Sequence, residues 1–330
     1  MANFLNWFTL LVISAVAYGT PLLFGTLGEI LTEKSGNLNL GVEGIMFMGG
    51  AFGLGGAFYY EKLAANPNGF VAIGMAILFA FLAGAIASLI FSFLTITLRA
   101  NQNVTGLALS IFGTGVGQFT GEFMRVKAGG YVSLGNELKT YFSLCPFPKF
   151  MQDIPYVGKI LFGHTIFFYL AVIVAIILAF YLNKTRSGLY LRSVGESPST
   201  ADAAGINITK YKYLATVIGG GISAIGGMVF IMTIAGCTWN HEGLSGFGWL
   251  AVALVIFCLW RPTSAIWSAV LFGALVDLYN RLHLSFLPNE IYKILPYVVT
   301  VIVLIFSSLR NNKEKQPPAS LGLAYFREDR

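Results

Sequence analysis

Residues 188–213 read GLYLRSVGESPSTADAAGINITKYKY and lie between two long stretches that carry no formal charge. These flanking stretches, residues 160–183 and 213–241, contain no Asp, Glu, Lys or Arg. A helix needs about 20 mostly apolar residues to cross about 30 Å of hydrocarbon, because it rises about 1.5 Å per residue. Both flanking stretches are long enough, so residues 188–213 are predicted to be a polar connection between two transmembrane helices.

The middle of residues 188–213 has the signals of a short helix. Ser197 or Ser199 is a suitable N-cap, residues 200–204 favour a helix, and Gly205 is a suitable C-terminal stop. A helix this short is not stable alone in water, so it must dock against another surface. We interpret it as a helix presented to a soluble partner. The alternative is a linker held only by its two membrane ends.

The composition extends the membrane interpretation to the whole chain. Of the 330 residues, 56% are hydrophobic and 11% are charged, whereas a soluble domain has about 25% charged residues. The mean hydropathy is +0.71. This balance excludes a soluble globule, a disordered chain, a coiled coil and a disulfide scaffold. The three Cys and three His residues are scattered along the sequence and predict no metal site.

Nine stretches without charges predict about nine transmembrane helices in an all-α, polytopic integral membrane protein. Two neighbouring stretches are short and are separated by Arg261 and Pro262, so either both are tilted or one is a broken helix. We predict a transmembrane domain at residues 1–309 and a polar cytoplasmic tail at residues 310–330 without stable structure. The nine stretches are residues 1–28, 44–60, 63–98, 100–121, 160–183, 213–241, 243–260, 262–276 and 294–309.

The basic residues predict the orientation. If residues 184–212 face the cytoplasm, the alternation of spans places 13 of the 21 Lys and Arg residues on that side, where basic residues accumulate. The N-terminus is then outside, although a re-entrant segment near residues 36–44 would reverse this orientation. The net charge of +6 fits the same bias. No basic stripe with interleaved aromatic residues indicates binding of nucleic acid.

The motifs of common catalytic sites do not occur in the sequence. It contains no GxxxxGK[ST], GxSxG, HExxH or CxxC motif, so we predict no ATPase site, no catalytic residues and no cofactor. Asp277 is the only ionisable residue that clearly lies inside a predicted span, and we expect it to pair with Arg281 on the same helical face. Energy for active transport would therefore come from another protein.

Small residues recur at helical spacing. Gly113, Gly117 and Gly121 lie four residues apart, which places them on one face where a second helix can approach closely. Gly49 and Gly53 have the same spacing. We predict close helix packing at these positions rather than binding of a cofactor.

Several stretches carry a resemblance to one group of transport proteins. Residues 195–198 read GESP, residues 203–206 read AAGI, residues 36–46 read GNLNLGVEGIM and residues 101–109 read NQNVTGLAL. Together with the LPY at residues 295–297, they are similar to ABC importer permeases of the branched-chain amino acid, ribose and nucleoside group. The stretch at residues 36–46 resembles the nucleoside-type, lipoprotein-dependent branch. The resemblance covers about residues 20–309.

One stretch departs from the pattern of that group. Residues 246–251 read GFGWLA, whereas related permeases often show GRG[FW]IA. Phe247 therefore stands where those permeases have Arg.

The resemblance implies the ABC importer permease fold, with a cytoplasmic coupling helix within residues 188–213. It implies a multi-pass location in the bacterial plasma (inner) membrane and a small polar solute as cargo, a nucleoside above all. The implied partners are a cytoplasmic ATP-binding subunit with two nucleotide-binding domains, a second homologous permease and an extracytoplasmic substrate-binding lipoprotein. The residues implied in coupling to the ATPase are Gly195, Glu196, Pro198, Ala203, Ala204 and Gly205.

Six polar residues cluster at the ends of predicted spans. They are candidates for lining the translocation path, and the alternative is helix capping and hydrogen bonding between helices. Two further alternatives concern the cargo and the energy source. The first alternative is an ABC permease for riboflavin or a simple sugar. The second is a stand-alone carrier or channel that works without ATP and without residues 197–205. The six path candidates are Asn37, Asn39, Glu43, Asn101, Gln102 and Asn103.

Overall fold

A computed structural model describes residues 2–154 and 157–281, short pieces at 294, 298–302 and 305, and residues 316–326. Its regular elements are helices, and an isolated bridge joins Ser133 to Thr238, so the predicted all-α class is confirmed for this part of the chain. The helices are α1 (Ala2–Glu33), α2 (Val42–Leu63), α3 (Gly69–Ser92), α4 (Gln102–Lys127), α5 (Asn136–Phe142), α6 (Lys149–Gln152), α7 (Val157–Phe162), α8 (Ile166–Lys184), α9 (Arg186–Glu196), α10 (Pro198–Ala203), α11 (Ile208–Val229), α12 (His241–Leu244), α13 (Phe247–Phe257) and α14 (Pro262–Arg281).

Eight of the nine charge-free stretches coincide with helices. Four helical stretches are long and apolar enough to cross a membrane: Trp7–Glu33, Gly69–Thr97, Ile166–Lys184 and Ile208–Ile234. The helices α2 and α4 have 22 and 26 residues and are also long enough. The ninth stretch lies mostly outside the described residues.

The two short charge-free stretches form helices of different length, and α13 is the shorter one. It has 11 residues and is therefore about 16 Å long, roughly half the thickness of the hydrocarbon. The next helix, α14, begins at Pro262, where the missing N–H of proline costs nothing. It has 20 residues and is therefore about 30 Å long, so of the two helices α13 is the one too short to cross the hydrocarbon by itself.

Asparagine side chains begin three of the long helices. The side chain of Asn68 accepts a hydrogen bond from the Phe70 N–H at 2.9 Å, and Asn101 accepts one from Val104 at 3.1 Å. Asn207 caps α11 in the same way. These caps satisfy backbone donors that a helix leaves without partners at its N-terminus.

The chain turns back into the bundle after α1. We call residues 34–41 the re-entrant segment. Gly36 has a φ of +86°, and the backbone N–H of Asn39 then donates to the Glu29 carboxylate at 3.1 Å, level with the last turns of α1. The segment continues into α2, which runs opposite to α1. A re-entrant segment is thus present, but it does not change the alternation of the spans.

Close contacts between backbones hold α2 and α11 together at the centre of the bundle. A Cβ atom at Gly49 would lie 2.0 Å from the carbonyl oxygen of Ala224, and one at Gly227 would lie 1.8 Å from that of Met46. Only glycine allows the two helices to approach this closely. The helix α11 also packs against α1 and α3, and α1 packs against α14.

The glycines of α4 pack as the sequence predicts. A Cβ atom at Gly113 would lie 2.6 Å from Gly44, and one at Gly117 would lie 2.8 Å from Phe47. On another face of α4, a Cβ atom at Gly115 would meet nothing within 4 Å among the described residues. The prediction of close helix packing is confirmed at Gly113, Gly117, Gly49 and Gly53, whereas a Cβ atom at Gly121 would lie 2.0 Å from the side chain of Trp239, which is outside the helices.

The tail is more ordered than its composition predicts. Residues 316–326, which we call the C-terminal segment, pack against the rest of the protein. The N–H of Ser320 donates to the Gly195 carbonyl at 3.1 Å, and the N–H of Gly322 donates to the Gly36 carbonyl at 3.2 Å. The expectation of a tail without stable structure is therefore wrong for these residues. The segment is ordered because it supplies donors to two carbonyl groups at turns of the chain.

Candidate functional site

The re-entrant segment lies against the start of α4. The N–H of Leu38 donates to the Gln102 side-chain oxygen at 2.7 Å, and the Ser110 hydroxyl donates to the Leu40 carbonyl at 2.8 Å. A Cβ atom at Gly106 would lie 2.6 Å from the Leu40 nitrogen. Two stretches that carry the family resemblance, residues 36–46 and 101–109, are therefore in direct contact.

Glu43 joins the stretch at residues 246–251 to the same place. Its carboxylate accepts hydrogen bonds from the backbone N–H groups of Gly246 at 2.6 Å, Gly248 at 2.7 Å and Trp249 at 3.3 Å. The residue is 7% exposed. These donors lie at the N-terminus of the half helix α13, where a helix lacks internal acceptors and favours negative charge. Glu43 therefore caps α13 from 203 positions earlier in the chain.

The sequence GFGW around α13 fits this contact. A Cβ atom at Gly248 would lie 2.3 Å from the Cα atom of Glu43, so a side chain at this position would push the carboxylate away. Phe247, which replaces the Arg of related permeases, packs its ring against Phe230 with the ring centroids 4.7 Å apart. The departure from the family pattern thus puts an apolar residue into an apolar contact.

Asn37 is the path candidate with an unsatisfied polar atom. It is fully buried, and its amide nitrogen donates to the Thr216 hydroxyl at 2.9 Å. Its side-chain oxygen has no hydrogen-bond partner among the residues that the structure describes. Buried polar atoms are rarely left unpaired, so this oxygen marks a place for water or a polar ligand.

The other path candidates are in different surroundings. The side chain of Asn39 accepts the Gly41 N–H at 2.9 Å, which is a local turn contact. Asn101 caps α4, and Asn101 and Asn103 are exposed. The structure therefore gathers Asn37, Asn39, Glu43 and Gln102 around the re-entrant segment and leaves two residues at the surface.

The polar connection contains two helices, α9 and α10. As predicted from the sequence, Ser197 lies at the N-cap of α10, which begins at Pro198, and Gly205 follows it with a φ of +79°. Ala203, Ala204 and Gly205 are exposed. Ala201 is buried with Val194 and Ile208, so α10 is docked by its inner face and presents its C-terminal end to the surroundings.

The coupling segment, residues 188–213, contacts the re-entrant segment directly. A Cβ atom at Gly195 would lie 2.4 Å from the Lys34 carbonyl oxygen. Burial lowers the pKa of Lys34, and the carboxylate of Glu196 opposes this shift. The end of α9 and the end of α1 are thus in backbone contact with no side chain between them.

The C-terminal segment connects these parts. The N–H of Ala319 donates to the Glu196 carboxylate at 3.3 Å, and the Tyr325 hydroxyl donates to the Asp202 carboxylate at 3.0 Å. The Gln102 amide donates to the Leu323 carbonyl at 3.4 Å. One short segment therefore touches α9, α10 and the start of α4.

Comparison with known proteins decides the family. Residues 10–304 match the family described as the permease component of branched-chain amino acid transport systems. The chain belongs to this family of permeases. It is a multi-pass protein of the bacterial inner membrane, and permease subunits of this kind are transport proteins rather than enzymes. They work in an ABC transport system together with an ATPase and a substrate-binding protein.

Three relatives cover nearly the whole permease. The nucleoside ABC transporter permease protein NupC of Lactococcus lactis subsp. cremoris is 32% identical over 92% of this chain and 93% of its own length. The guanosine ABC transporter permease protein NupQ of Bacillus subtilis is 33% identical over 90% and 91%. A relative from Haloferax volcanii, provisionally named as the glucose ABC transporter permease protein TsgC13, is 32% identical over 96% and 97%.

Sequence analysis missed three buried charges of the permease. Glu29, Glu33 and Lys212 are at most 3% exposed, so the expectation that Asp277 alone is clearly inside the spans is wrong. In the sequence, Glu29 and Glu33 follow a charge-free stretch, which is the pattern of a helix that ends in water. In the structure, the re-entrant segment covers Glu29, and the Trp260 indole covers Glu33 and donates a hydrogen bond to it. The spacing of four residues, which places both carboxylates on one face of α1, was the feature of the sequence that could have indicated their burial. The expected pair of Asp277 with Arg281 involves a side chain outside the described residues.

Proposed function

We propose that this chain is the membrane-spanning subunit of an ATP-driven importer of nucleosides, forming the translocation path with a second related permease. The observation that carries the coupling part of this proposal is the contact between Gly195 and Lys34. It joins the segment that faces the cytoplasm in our orientation to the re-entrant segment inside the bundle. A displacement of one is transmitted to the other, because no flexible side chain lies between them.

The proposed movement starts at the exposed end of α10. An ATPase that closes on ATP would push Ala203, Ala204 and Gly205, and α10 would carry the displacement through Pro198 to Gly195 and Glu196. From there it reaches the re-entrant segment and, through Glu43, the half helix α13. The Gly-rich contacts of α2 and α11 support a rigid displacement, since packed backbones do not absorb motion as loops do.

The proposed assembly has four kinds of component. In it, residues 1–309 form the transmembrane domain and residues 310–330 lie on the cytoplasmic side. The coupling segment at residues 188–213 binds an ATP-binding subunit with two nucleotide-binding domains, and a lipoprotein delivers the cargo from outside. This chain supplies no ATPase site of its own, which agrees with the lack of a P-loop motif in its sequence.

We infer that the path lies beside the re-entrant segment and along one face of α4. Asn103, Thr114 and Gln118 lie close to one line on this helix, given a turn of about 100° per residue. All three are at least partly exposed. The unpaired oxygen of Asn37 supports the same region. A path role for Asn37, Asn39, Glu43, Asn101, Gln102 and Asn103 remains part of this proposal.

The cargo is inferred from the relatives. Two of them, similar over more than nine tenths of this chain, are named for nucleosides or guanosine. A nucleoside is uncharged and rich in hydrogen-bond donors and acceptors, and it suits a path lined by amide and hydroxyl groups. The relative provisionally named for glucose makes a sugar the second candidate.

Uptake by the reconstituted system tests the function. We expect proteoliposomes that contain this chain, the second permease, the ATPase and the lipoprotein to accumulate radiolabelled guanosine only with ATP. Excess adenosine or uridine should compete, whereas glucose and riboflavin should not. ATP-dependent accumulation of radiolabelled glucose, without uptake of any nucleoside, would establish the sugar alternative. Guanosine uptake without ATP would establish a stand-alone carrier.

Substitution of Gly205 tests the coupling segment. We expect Gly205→Val to insert into the membrane normally but to lose most ATP-driven uptake, because a β-branched residue does not tolerate the φ of +79° and costs about 1–2 kcal/mol there. Gly205→Asn is the matched control, since asparagine accepts this conformation, and it should keep most of the uptake. The readouts are co-purification of the ATPase and stimulation of ATP hydrolysis by the loaded binding protein. Wild-type uptake by Gly205→Val would contradict the proposed role.

A further inference from the structure

A polar cavity of about 530 Å³ opens between the end of α3, the start of α11 and the C-terminal segment. This volume falls in the range of about 300–1,000 Å³ that small-molecule sites occupy. The cavity lies at the same end of the bundle as the coupling segment, and Asp202, Gly205 and Asn207 of that segment line it. Gln102 is the path candidate that lines it, and the transport proposal assigns no ligand to the cavity itself.

Lys212 is a buried cation that lines this cavity. It is 3% exposed, and among the described residues no carboxylate, carbonyl or hydroxyl accepts a hydrogen bond from its ammonium group. A buried charge without a partner is costly, and proteins keep one only where something compensates it. An anion that enters the cavity would supply this compensation.

The backbone of α11 adds donors at the same place. Lys212 lies one turn after Ile208, and side chains on a helix point back towards its N-terminus. Its ammonium group is thus directed towards the first turn of α11. There, Asn207 caps only the N–H of Lys210, so the N–H groups of Ile208 and Thr209 have no acceptor within the helix. A lysine and free amides at a helix start favour phosphate.

Arg99, which follows α3 in the chain, is a second cation in the lining of the cavity. It lines the cavity from just beyond the π-helical segment Phe93–Thr97, and its guanidinium lies 4.7 Å from the ring centre of Phe326. Asp202 is the carboxylate of the lining, and it already accepts a hydrogen bond from Tyr325. Among the described residues, the charged groups of the lining therefore sum to one positive charge. A ligand with a phosphate group would complement them.

We propose that this cavity binds the phosphate group of a small ligand, with Lys212, Arg99 and the first turn of α11 as its ligands. The cavity is larger than a bare phosphate ion needs, and the amide of Gln102 and the ring of Tyr325 offer contacts to the rest of a nucleotide-sized molecule. A bound ligand connects α3, the coupling segment and the C-terminal segment. The site is thus placed to control the movement of the coupling segment.

Two sources of phosphate fit this chemistry: a soluble nucleotide and the headgroup of a lipid of the inner leaflet. Most of the lining belongs to the coupling and C-terminal segments rather than to the apolar helix surfaces. The soluble source therefore agrees better with the position of the cavity. Both sources require the same two cations, so the experiment must vary the source and the cation independently.

Thermal stability and binding of the purified full chain test the proposal. The chain is reconstituted in nanodiscs of phosphatidylcholine and titrated with AMP, inorganic phosphate or adenosine, and separately placed in nanodiscs that contain phosphatidylglycerol. The variants are Lys212→Met and the matched control Lys210→Met, which removes an exposed lysine from the same helix. We expect AMP to bind and stabilise the wild type and Lys210→Met, whereas adenosine should do neither. Lys212→Met should bind AMP at least about tenfold more weakly.

The remaining outcomes each support or overturn the proposal of a phosphate site. Without ligand, Lys212→Met should be at least as stable as the wild type, because an unpaired buried charge is gone. If that variant does not fold, Arg99→Gln is used in its place, and it should likewise bind AMP at least about tenfold more weakly than the wild type. Stabilisation by phosphatidylglycerol alone, lost in Lys212→Met, supports the phosphate site with a lipid as its source. Equal behaviour of Lys212→Met and Lys210→Met, or the absence of any response to AMP, phosphate and phosphatidylglycerol, overturns the proposal.

Discussion

Replacement of Glu43 by alanine should abolish uptake and lower the apparent Tm of the permease by roughly 5–10 °C. The Glu43 carboxylate accepts three backbone N–H groups at the start of α13, of which that of Gly248 is buried and the other two are partly buried. Alanine leaves these donors without their acceptor. An unpaired buried donor costs about 1–3 kcal/mol, so the loss of all three shifts α13 or opens the contact with the re-entrant segment.

Two further variants separate capping from contact with the cargo. Glu43→Gln keeps one carbonyl oxygen as an acceptor, so it should recover about half of the lost stability if capping is the main role. Glu242→Ala removes an exposed glutamate from the short helix α12, which precedes α13, and should behave like the wild type. The measurements are thermal denaturation in detergent and the KM for uptake. A stable Glu43→Gln variant with a raised KM would instead identify Glu43 as a cargo contact, and wild-type stability of Glu43→Ala would refute the capping role.

The second large effect is expected for Gly49→Ala. A methyl group there would lie 2.0 Å from the backbone carbonyl oxygen of Ala224, and a backbone carbonyl in a packed helix cannot move aside. Overpacking in a core typically costs about 1–3 kcal/mol, and here two helices at the centre of the bundle must separate. We expect little correctly folded Gly49→Ala protein after solubilisation, measured as the monodisperse fraction in size-exclusion chromatography.

Glycines with free space provide the matched controls for Gly49. A Cβ atom at Gly74 in α3 or at Gly115 in α4 would meet nothing within 4 Å of the described structure. Because alanine has a helix propensity about 1 kcal/mol better than glycine, Gly74→Ala and Gly115→Ala should be as stable as the wild type or slightly more stable. If Gly49→Ala were as well folded as these two controls, the close contact of α2 with α11 would not be essential to the fold.

Both predictions concern features that the sequence indicated only in part. The sequence marked Glu43 as a polar residue at a span end and Gly49 as a small residue on a helix face. It did not indicate that Glu43 reaches α13 or that Gly49 meets Ala224. The same holds for Gly205, whose place after a short helix was predicted, while the contact of Gly195 with Lys34 was not.

The sequence by itself determined the properties that each segment carries alone. Transfer of a helix into lipid is nearly additive over about 20 neighbouring residues, so the apolar stretches could be identified as helices before any contact was known. Local residue preferences and helical spacing likewise predicted Ser197 at the N-cap of α10, Gly205 after it and the small-residue face of α4. The quoted stretches were sufficient to predict the permease family.

Only the tertiary structure decided which segments meet. It joined Glu43 to the start of α13, covered Glu29 and Glu33 with the re-entrant segment, and ordered residues 316–326 against the Gly36 and Gly195 carbonyls. These contacts join residues far apart in the chain, and their energies depend on distance in space rather than on neighbouring residues. A charged residue at the end of an apolar stretch has the same local sequence whether water or another segment of the protein covers it.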